Sequence, residues 1–238
     1  MQPVFLFNTE LYYSEYAKGS SIEVAGEEFH HLKDVMRHKI GDEIFVTDGK
    51  GVIYKTEINL IEKKSLSANI VSSQIYSNPL SNITFCIPRL KSADRLEFAL
   101  EKCVELGITN FIVFDSNRTV AKGEKLERWQ KIITSAMKQS LRAWLPNVRY
   151  CKAINEIVVL EGKKYFFDQN AEKTLSSIPK SQFSINNCFL VFGPEGGFSE
   201  NELKIVNGEF KIRLTENRLR SETAIVVAAS ILAANLVL

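Results

Sequence analysis

From Ile83 onward, short apolar runs alternate with segments of helical period, and this alternation restricts the fold more than any other feature of the sequence. ITFCIPRL (83–90), FIVFD (111–115), YFFD (165–168), CFLVFG (188–193) and FKIRLT (210–215) read as strands. Between the first two, SADRLEFALEKCVEL (92–106) places Leu96, Ala99, Leu100, Cys103 and Val104 on one helical face and stops at Gly107. Residues 124–143 do the same with Leu126, Trp129, Ile132, Ile133 and Ala136. Parallel strands need crossover connections, so strands alternating with helices build a mostly parallel sheet with helices on its faces. The last element, 221–236, is apolar nearly all round, which suits a helix buried in a core or a subunit interface.

Before residue 77 the pattern changes. VFLF (4–7), SIEV (21–24), residues 42–61 and SLSANIVSSQI (65–75) are β-rich runs separated by turns, and DGKG (48–51) has the glycines a hairpin turn needs. EEFHHLKDVMRH (27–38) has helical spacing at Phe29, Leu32, Val35 and Met36, so one helix plugs or flanks the sheet. The expected fold is therefore α/β: a small β-barrel over residues 1–74, then a larger domain with a mostly parallel sheet over 75–238, joined through the polar stretch SNPLSN (77–82).

The most apolar stretch, 224–238, is shorter than a bilayer requires, and the amino terminus lacks the basic flank of a signal peptide, so a cytoplasmic protein is expected. Cys86, Cys103, Cys151 and Cys188 form no C-x-x-C pair and read as buried reduced thiols. His30, His31 and His38 lie together without the acid or cysteine spacing of a metal site, and no metal is expected. Charge is uneven: residues 118–152 hold nine Lys or Arg against Glu124 and Glu127, so this segment carries +7 and the rest −5. Such asymmetry fits either a polyanion-binding surface or a solvated helix with basic ends.

Two loops carry the chemistry. FGPEGGFSENE (192–202) breaks a strand with three glycines and enters a helix through Ser199 and Glu202, spaced as a capping box. Glycines let backbone approach a ligand closely, yet neither G-x-x-x-x-G-K-[ST] nor a dinucleotide G-x-G-x-x-G is present. IRLTENRLRSETA (212–224) repeats the arrangement, with Arg218 and Arg220 before a helix opened by Ser221. FFDQNA (166–171) offers a third strand end. Ligands of open α/β sheets bind outside the carboxyl ends of the strands, so these loops are the candidate walls of one site.

These residues, together with KQSLRAWLPNV (138–148) and HHLKDVMRHKIGDEIFVTDGKG (30–51), resemble the RsmE family, 16S ribosomal RNA uracil-N3-methyltransferases of the SPOUT superfamily, over essentially the whole chain. The resemblance implies a PUA-like β-barrel that binds RNA, followed by a SPOUT α/β domain tied in a trefoil knot, S-adenosylmethionine as cofactor, 16S ribosomal RNA or the small subunit as partner, and a homodimer formed through the knot domain. Carried onto this sequence, Phe192, Gly193, Pro194, Glu195, Gly196 and Gly197 would form one wall of the cofactor site and Leu214, Asn217, Leu219 and Arg220 the other, with Asp168 at the third strand end. Arg220 would stabilise the uracil oxyanion, and Glu222, or else Glu195, would accept the N3 proton. Arg89, Lys91, Arg95, Lys138, Arg142 and Arg149 are assigned to RNA. The sequence departs from the family in having no arginine before Arg37, and in reading LTENRLRSETA where the family has a glycine-led LGxRILRTETA. A ribosomal-RNA-binding protein without chemistry, and a SPOUT methyltransferase acting on another RNA, are the competing readings.

Overall fold

The computed structural model describes residues 9–185, 187–206 and 210–236. The VFLF strand expected at 4–7 lies outside the described residues. By its contacts the chain forms two compact units: residues up to Asn78 together with Met137–Leu145, and Pro79–Ala136 together with Pro146 onward.

The first unit is built on a six-stranded sheet in the order β1-β4-β5-β6-β3-β2, curled as a PUA-like half-barrel. Its strands are β1 (Leu11–Tyr13), β2 (Tyr16–Lys18), β3 (Ser21–Ala25), β4 (Glu43–Thr47), β5 (Val52–Ile61) and β6 (Ser65–Ile75). β1 pairs with β4 in parallel and the remaining pairs are antiparallel. The DGKG hairpin joins β4 to β5: Gly49 and Gly51 have φ of 70° and 102°, and Asp48 accepts the Lys50 and Val52 amides. Only glycine fits at 51, because an added Cβ would stand 2.4 Å from the Trp144 ring. Residues 137–145 complete this unit. The Ala143 carbonyl accepts from Thr47 Oγ1 and the Gly51 amide, and Trp144 Nε1 donates to the Tyr76 carbonyl.

The helix expected at 27–38 is shorter and changes character. α1 (Gly26–His30) runs into one π-helical turn, His31–Val35, in which the Met36 amide reaches back five residues to His31. Phe29 and Leu32 are buried as the spacing predicts, but the wider turn shifts the phase. Val35, expected to face inward, is 64% exposed, and Met36 is 40% exposed.

The second unit holds a six-stranded sheet in the order β12-β10-β11-β7-β8-β9. Its strands are β7 (Ile83–Pro88), β8 (Asn110–Phe114), β9 (Asn147–Cys151), β10 (Lys163–Phe167), β11 (Cys188–Val191) and β12 (Phe210–Ile212). Every pairing is parallel, so the loops that follow these strands leave from one edge. The helices are α2 (Ala93–Glu105), α3 (Leu126–Gln139), α4 (Asn155–Val158), α5 (Ser181–Ile185), α6 (Glu200–Ile205) and α7 (Ser221–Leu236). The central strands are buried on both faces, which is why they read as unbroken apolar runs. β9, reading NVRYC, escaped the sequence reading because it is a partly exposed edge strand with polar residues. None of the four cysteines is in a disulfide; burial pushes the thiols of Cys86 and Cys103 up, and that of Cys188 to about 11. Among the described residues no helix is long and apolar enough to cross a membrane.

Candidate functional site

At the carboxyl edge of the parallel sheet, the loops after β10, β11 and β12 enclose a cavity of about 870 Å³, large enough for a nucleoside-sized ligand. The edge follows from the parallel register: Phe166 pairs with Val191 and with Lys211, so three strands end side by side. The apolar lining is aromatic. Phe167 stacks on Phe192 with ring centroids 4.5 Å apart, and Phe166 meets Phe198 edge to face. Leu214, Leu219 and Ala224 add aliphatic surface from the chain leading into α7.

The glycine turn supplies the backbone. Gly197 has φ of 69°, and its amide donates to the Pro194 carbonyl at 2.8 Å, which closes the turn. Gly193 lines the cavity, and a Cβ there would lie 3.5 Å from the Phe198 ring, in ordinary contact with it. Pro194, Glu195, Asp168 and Asn217 also line it. Gly196 does not: its carbonyl accepts from Arg118 Nη1 at 2.9 Å, and a Cβ there would meet Arg118.

The turn is held from behind. Ser199 and Glu202 form the capping box expected from their spacing, with Glu202 Oε2 accepting the Ser199 amide at 2.7 Å. The other carboxylate oxygen accepts from Ser116 Oγ (2.7 Å) and the Asn117 amide (2.9 Å), and Asn117 Nδ2 donates to Ser199 Oγ. Burial alone would raise the pKa of Glu202, yet these bonds to the ionised form hold it below the ordinary carboxylate value. The 116–118 loop, with Arg118 on Gly196, therefore fixes the turn that walls the cavity. Sequence reasoning assigned none of Ser116, Asn117 and Arg118 to the site. They follow β8, and only the parallel register brings them there.

Cations outnumber acids in the lining. Arg95, Lys211, Arg213, Arg218 and Arg220 contribute cations against the two carboxylates of Asp168 and Glu195. Asp168 Oδ2 lies 3.7 Å from Lys211 Nζ, and Glu195 Oε1 accepts the Lys91 amide. Glu222, in the first turn of α7, is buried. Its Oε1 lies 3.6 Å from Arg95 Nε, while Oε2 has no hydrogen-bond partner. Glu222 is not among the residues that line the cavity, and its link to the lining is Arg95; a buried carboxylate oxygen with an open lone pair can accept a proton from a group that reaches it.

The residues assigned to RNA do not gather. Arg95 lines the cavity, and Lys91 and Arg149 are exposed. Arg89 is 4% exposed, with its guanidinium 5.2 Å from the centre of the Trp129 ring and with Nε and Nη1 lacking a hydrogen-bond partner among the described residues. Lys138 is ion-paired with Glu28, and Arg142 is half-buried with its pKa lowered by burial; both belong to the packing of the first unit.

The cavity at the carboxyl edge of the parallel sheet, walled by glycine and arginine loops, belongs to one unit and the PUA-like sheet to the other, and matches to family models define the class as an RNA methyltransferase. The family described as RNA methyltransferase domain matches residues 77–233, and the RNA methyltransferase PUA domain matches residues 24–71. Ribosomal RNA small subunit methyltransferase E of Bacillus subtilis is 28% identical over 97% of this chain and 95% of its own, and the Synechocystis enzyme of the same name is 30% identical over 88% and 71%. Among solved structures, a ribosomal RNA small subunit methyltransferase E from Neisseria gonorrhoeae, bound to S-adenosyl methionine, superposes with a TM-score of 0.83 at 26% identity, covering 96% of this chain and 98% of that one. A Legionella pneumophila methyltransferase in complex with the same cofactor gives 0.82, also at 26% identity and with the same coverage. The chain belongs to the ribosomal RNA small subunit methyltransferase E family.

Proposed function

We propose that this protein transfers a methyl group from S-adenosylmethionine to N3 of a uridine in 16S ribosomal RNA, and that the cavity at the carboxyl edge of the parallel sheet is where it does so. The observation that carries the reading is the double character of that cavity. An aromatic slot beside exposed glycine backbone suits an adenine and a thioether chain, and a rim of five cations suits a polyanion.

The residues present fit the cofactor. Phe192, Gly193, Pro194, Gly197, Leu214 and Leu219 would hold the adenosine, with Asp168, Asn217 and Glu195 for its polar and cationic groups. Gly196 supports this wall from outside it through Arg118. S-adenosylmethionine, when bound, supplies an electrophilic methyl group. What remains is the nucleophile, since uracil N3 is a poor one until it loses its proton. Arg220, exposed at the rim, would stabilise negative charge on the uracil carbonyl oxygens, and the free Oε2 of Glu222 would take the N3 proton; Glu195 is the second choice. Arg95, which lines the cavity, lies 3.6 Å from Glu222 Oε1 and links that carboxylate to the site. A target base must leave its stack to enter. Lys91, Arg95 and Arg149 are the remaining candidates for its phosphates.

The domain division we propose is an RNA-binding PUA-like unit and a methyltransferase unit, acting in a cytoplasmic homodimer. α7 supports the dimer, since Val226, Val227 and Ile231 remain half-exposed on it and a second copy would cover them. The test is calorimetric titration with S-adenosylmethionine of the wild type beside Gly193→Val, which adds two methyl groups beyond a Cβ already in contact with Phe198 at a position that lines the cavity. Saturable binding to the wild type with at least a tenfold loss in the variant is expected. A folded wild type that binds no cofactor, with or without RNA, would return the protein to a ribosomal-RNA-binding role without chemistry.

A further inference from the structure

The first unit carries an exposed turn that the cavity does not use, at residues 33–40. It begins in the π-helical turn and ends at Asp42, and it is unusual at Arg37, whose φ is 58°. This is the left-handed position that follows a helix end, where glycine is favoured and a side chain costs about 1 kcal/mol. The His38 amide closes the turn onto the Leu32 carbonyl at 3.1 Å. An arginine standing where glycine would be easier, with an exposed guanidinium, indicates work for the side chain.

Its surroundings say what kind. Val35, Met36 and Ile40 are 64%, 40% and 63% exposed, an apolar tip on an otherwise polar turn. Lys33, Arg37 and Lys39 flank it, and among the described residues none of the three is in an ion pair; Lys33 lies over the Phe29 ring, and the charge of Lys39 is felt by Asp42. The nearby acids are engaged: Asp34 is 3.2 Å from His30, and Asp42 is 3.1 Å from His38 while accepting the Lys39 amide. The base of the turn is fixed by buried Leu32 and by reciprocal bonds to β5, Gly41 amide to Ile58 carbonyl and Ile58 amide to Asp42 carbonyl. A rigid base, an apolar tip and three exposed cations match unpaired nucleotides, with phosphates on the cations and base faces against the aliphatic side chains.

We infer that residues 33–40 are an RNA-docking wedge of the first unit, with Lys33, Arg37 and Lys39 on phosphates and Met36 and Ile40 against unstacked bases. The inference rests on the proposed reading that the protein acts on ribosomal RNA. It places RNA contact in a unit whose described residues hold no arginine before Arg37.

The experiment measures affinity for in-vitro-transcribed 16S ribosomal RNA between 50 and 300 mM salt, for the wild type, Arg37→Gly, Met36→Asp and the triple variant Lys33→Ala, Arg37→Gly, Lys39→Ala. Losing one single-strand phosphate contact lowers the salt slope by about 0.7 and affinity about fourfold at 0.15 M, so the triple variant should lose roughly 50-fold and about two units of slope. Arg37→Gly also relieves the φ, so its thermal midpoint should equal or exceed the wild type's, which separates lost contact from lost fold. Wild-type affinity and slope in the triple variant overturn the inference. So does a loss seen only with assembled subunits and not with naked RNA, which would mean a ribosomal protein as partner. Methyl incorporation by the wild type, followed in parallel, reports on the proposed reaction independently of these ratios.

Discussion

Glu202 gives the sharpest handle on how the cavity wall is held. It accepts the Ser199 amide, the Ser116 hydroxyl and the Asn117 amide at 2.7, 2.7 and 2.9 Å while 3% exposed. Glu202→Gln keeps one carbonyl oxygen, so the bonds from Ser116 and Asn117 survive as neutral ones, each weaker by about 1 kcal/mol. Its amide nitrogen replaces the oxygen that faces the Ser199 amide, setting donor against donor at a further ~1–3 kcal/mol. The neutral side chain is easier to bury, which offsets part of this, so a net loss of about 2–4 kcal/mol is expected, or roughly 5–15 °C in a unit of this size. The pH dependence has a fixed sign. The carboxyl pKa in the fold lies below the ordinary 4.5, so its stabilisation is fully present above that value and fades as pH falls through the folded pKa. Thermal unfolding of both proteins at pH 7.5 and pH 3 should show a gap that shrinks on acidification. A gap under 1 °C at pH 7.5, or one that persists unchanged at pH 3, would refute the reasoning.

Other substitutions probe separate parts of the account. Gly51→Ala puts a Cβ 2.4 Å from Trp144 at φ of 102° and should destabilise the first unit by about 3 kcal/mol or more, read by urea unfolding monitored through tryptophan fluorescence. Glu222→Gln should reduce single-turnover methyl transfer about 100-fold while leaving cofactor affinity within twofold, and full turnover in that variant would move the proton acceptor to Glu195. Asp168→Asn should weaken S-adenosylmethionine binding severalfold without changing the salt slope of RNA binding, since the side chain lies at the sheet edge beside Lys211. Ser116→Ala should lower the thermal midpoint by a few degrees, through the loss of one bond to a buried carboxylate.

Much of the second unit was legible because parallel strands buried on both faces must be apolar throughout. β7, β8, β10 and β11 follow their apolar runs within a few residues, and α7 follows its own without error. β12 is shorter than its run: Arg213 to Thr215 turn into the cavity lining instead of continuing the sheet. The loops at the site could be read from glycine and capping chemistry, which are local. What supports them could not, because Ser116 and Arg118 reach Glu202 and Gly196 across about eighty residues of sequence, and only strand order sets that distance. Charge was the weakest guide. Arg89, Lys138 and Arg142 read as phosphate ligands among basic neighbours, whereas in the fold Arg89 is buried beside Trp129, Lys138 is paired with Glu28 and Arg142 is half-buried. Around Val35 and Met36 the 3.6-residue period failed for a mechanical reason, since a π turn advances the chain by a different angle.

The measurement that bears most directly on the central claim is nucleoside mass spectrometry of 16S ribosomal RNA, free and in small subunits, after incubation with the protein and isotopically labelled S-adenosylmethionine. The account predicts a single labelled 3-methyluridine per RNA molecule, abolished in Gly193→Val. Label on a ribose or on another base, or none in either substrate, would contradict it.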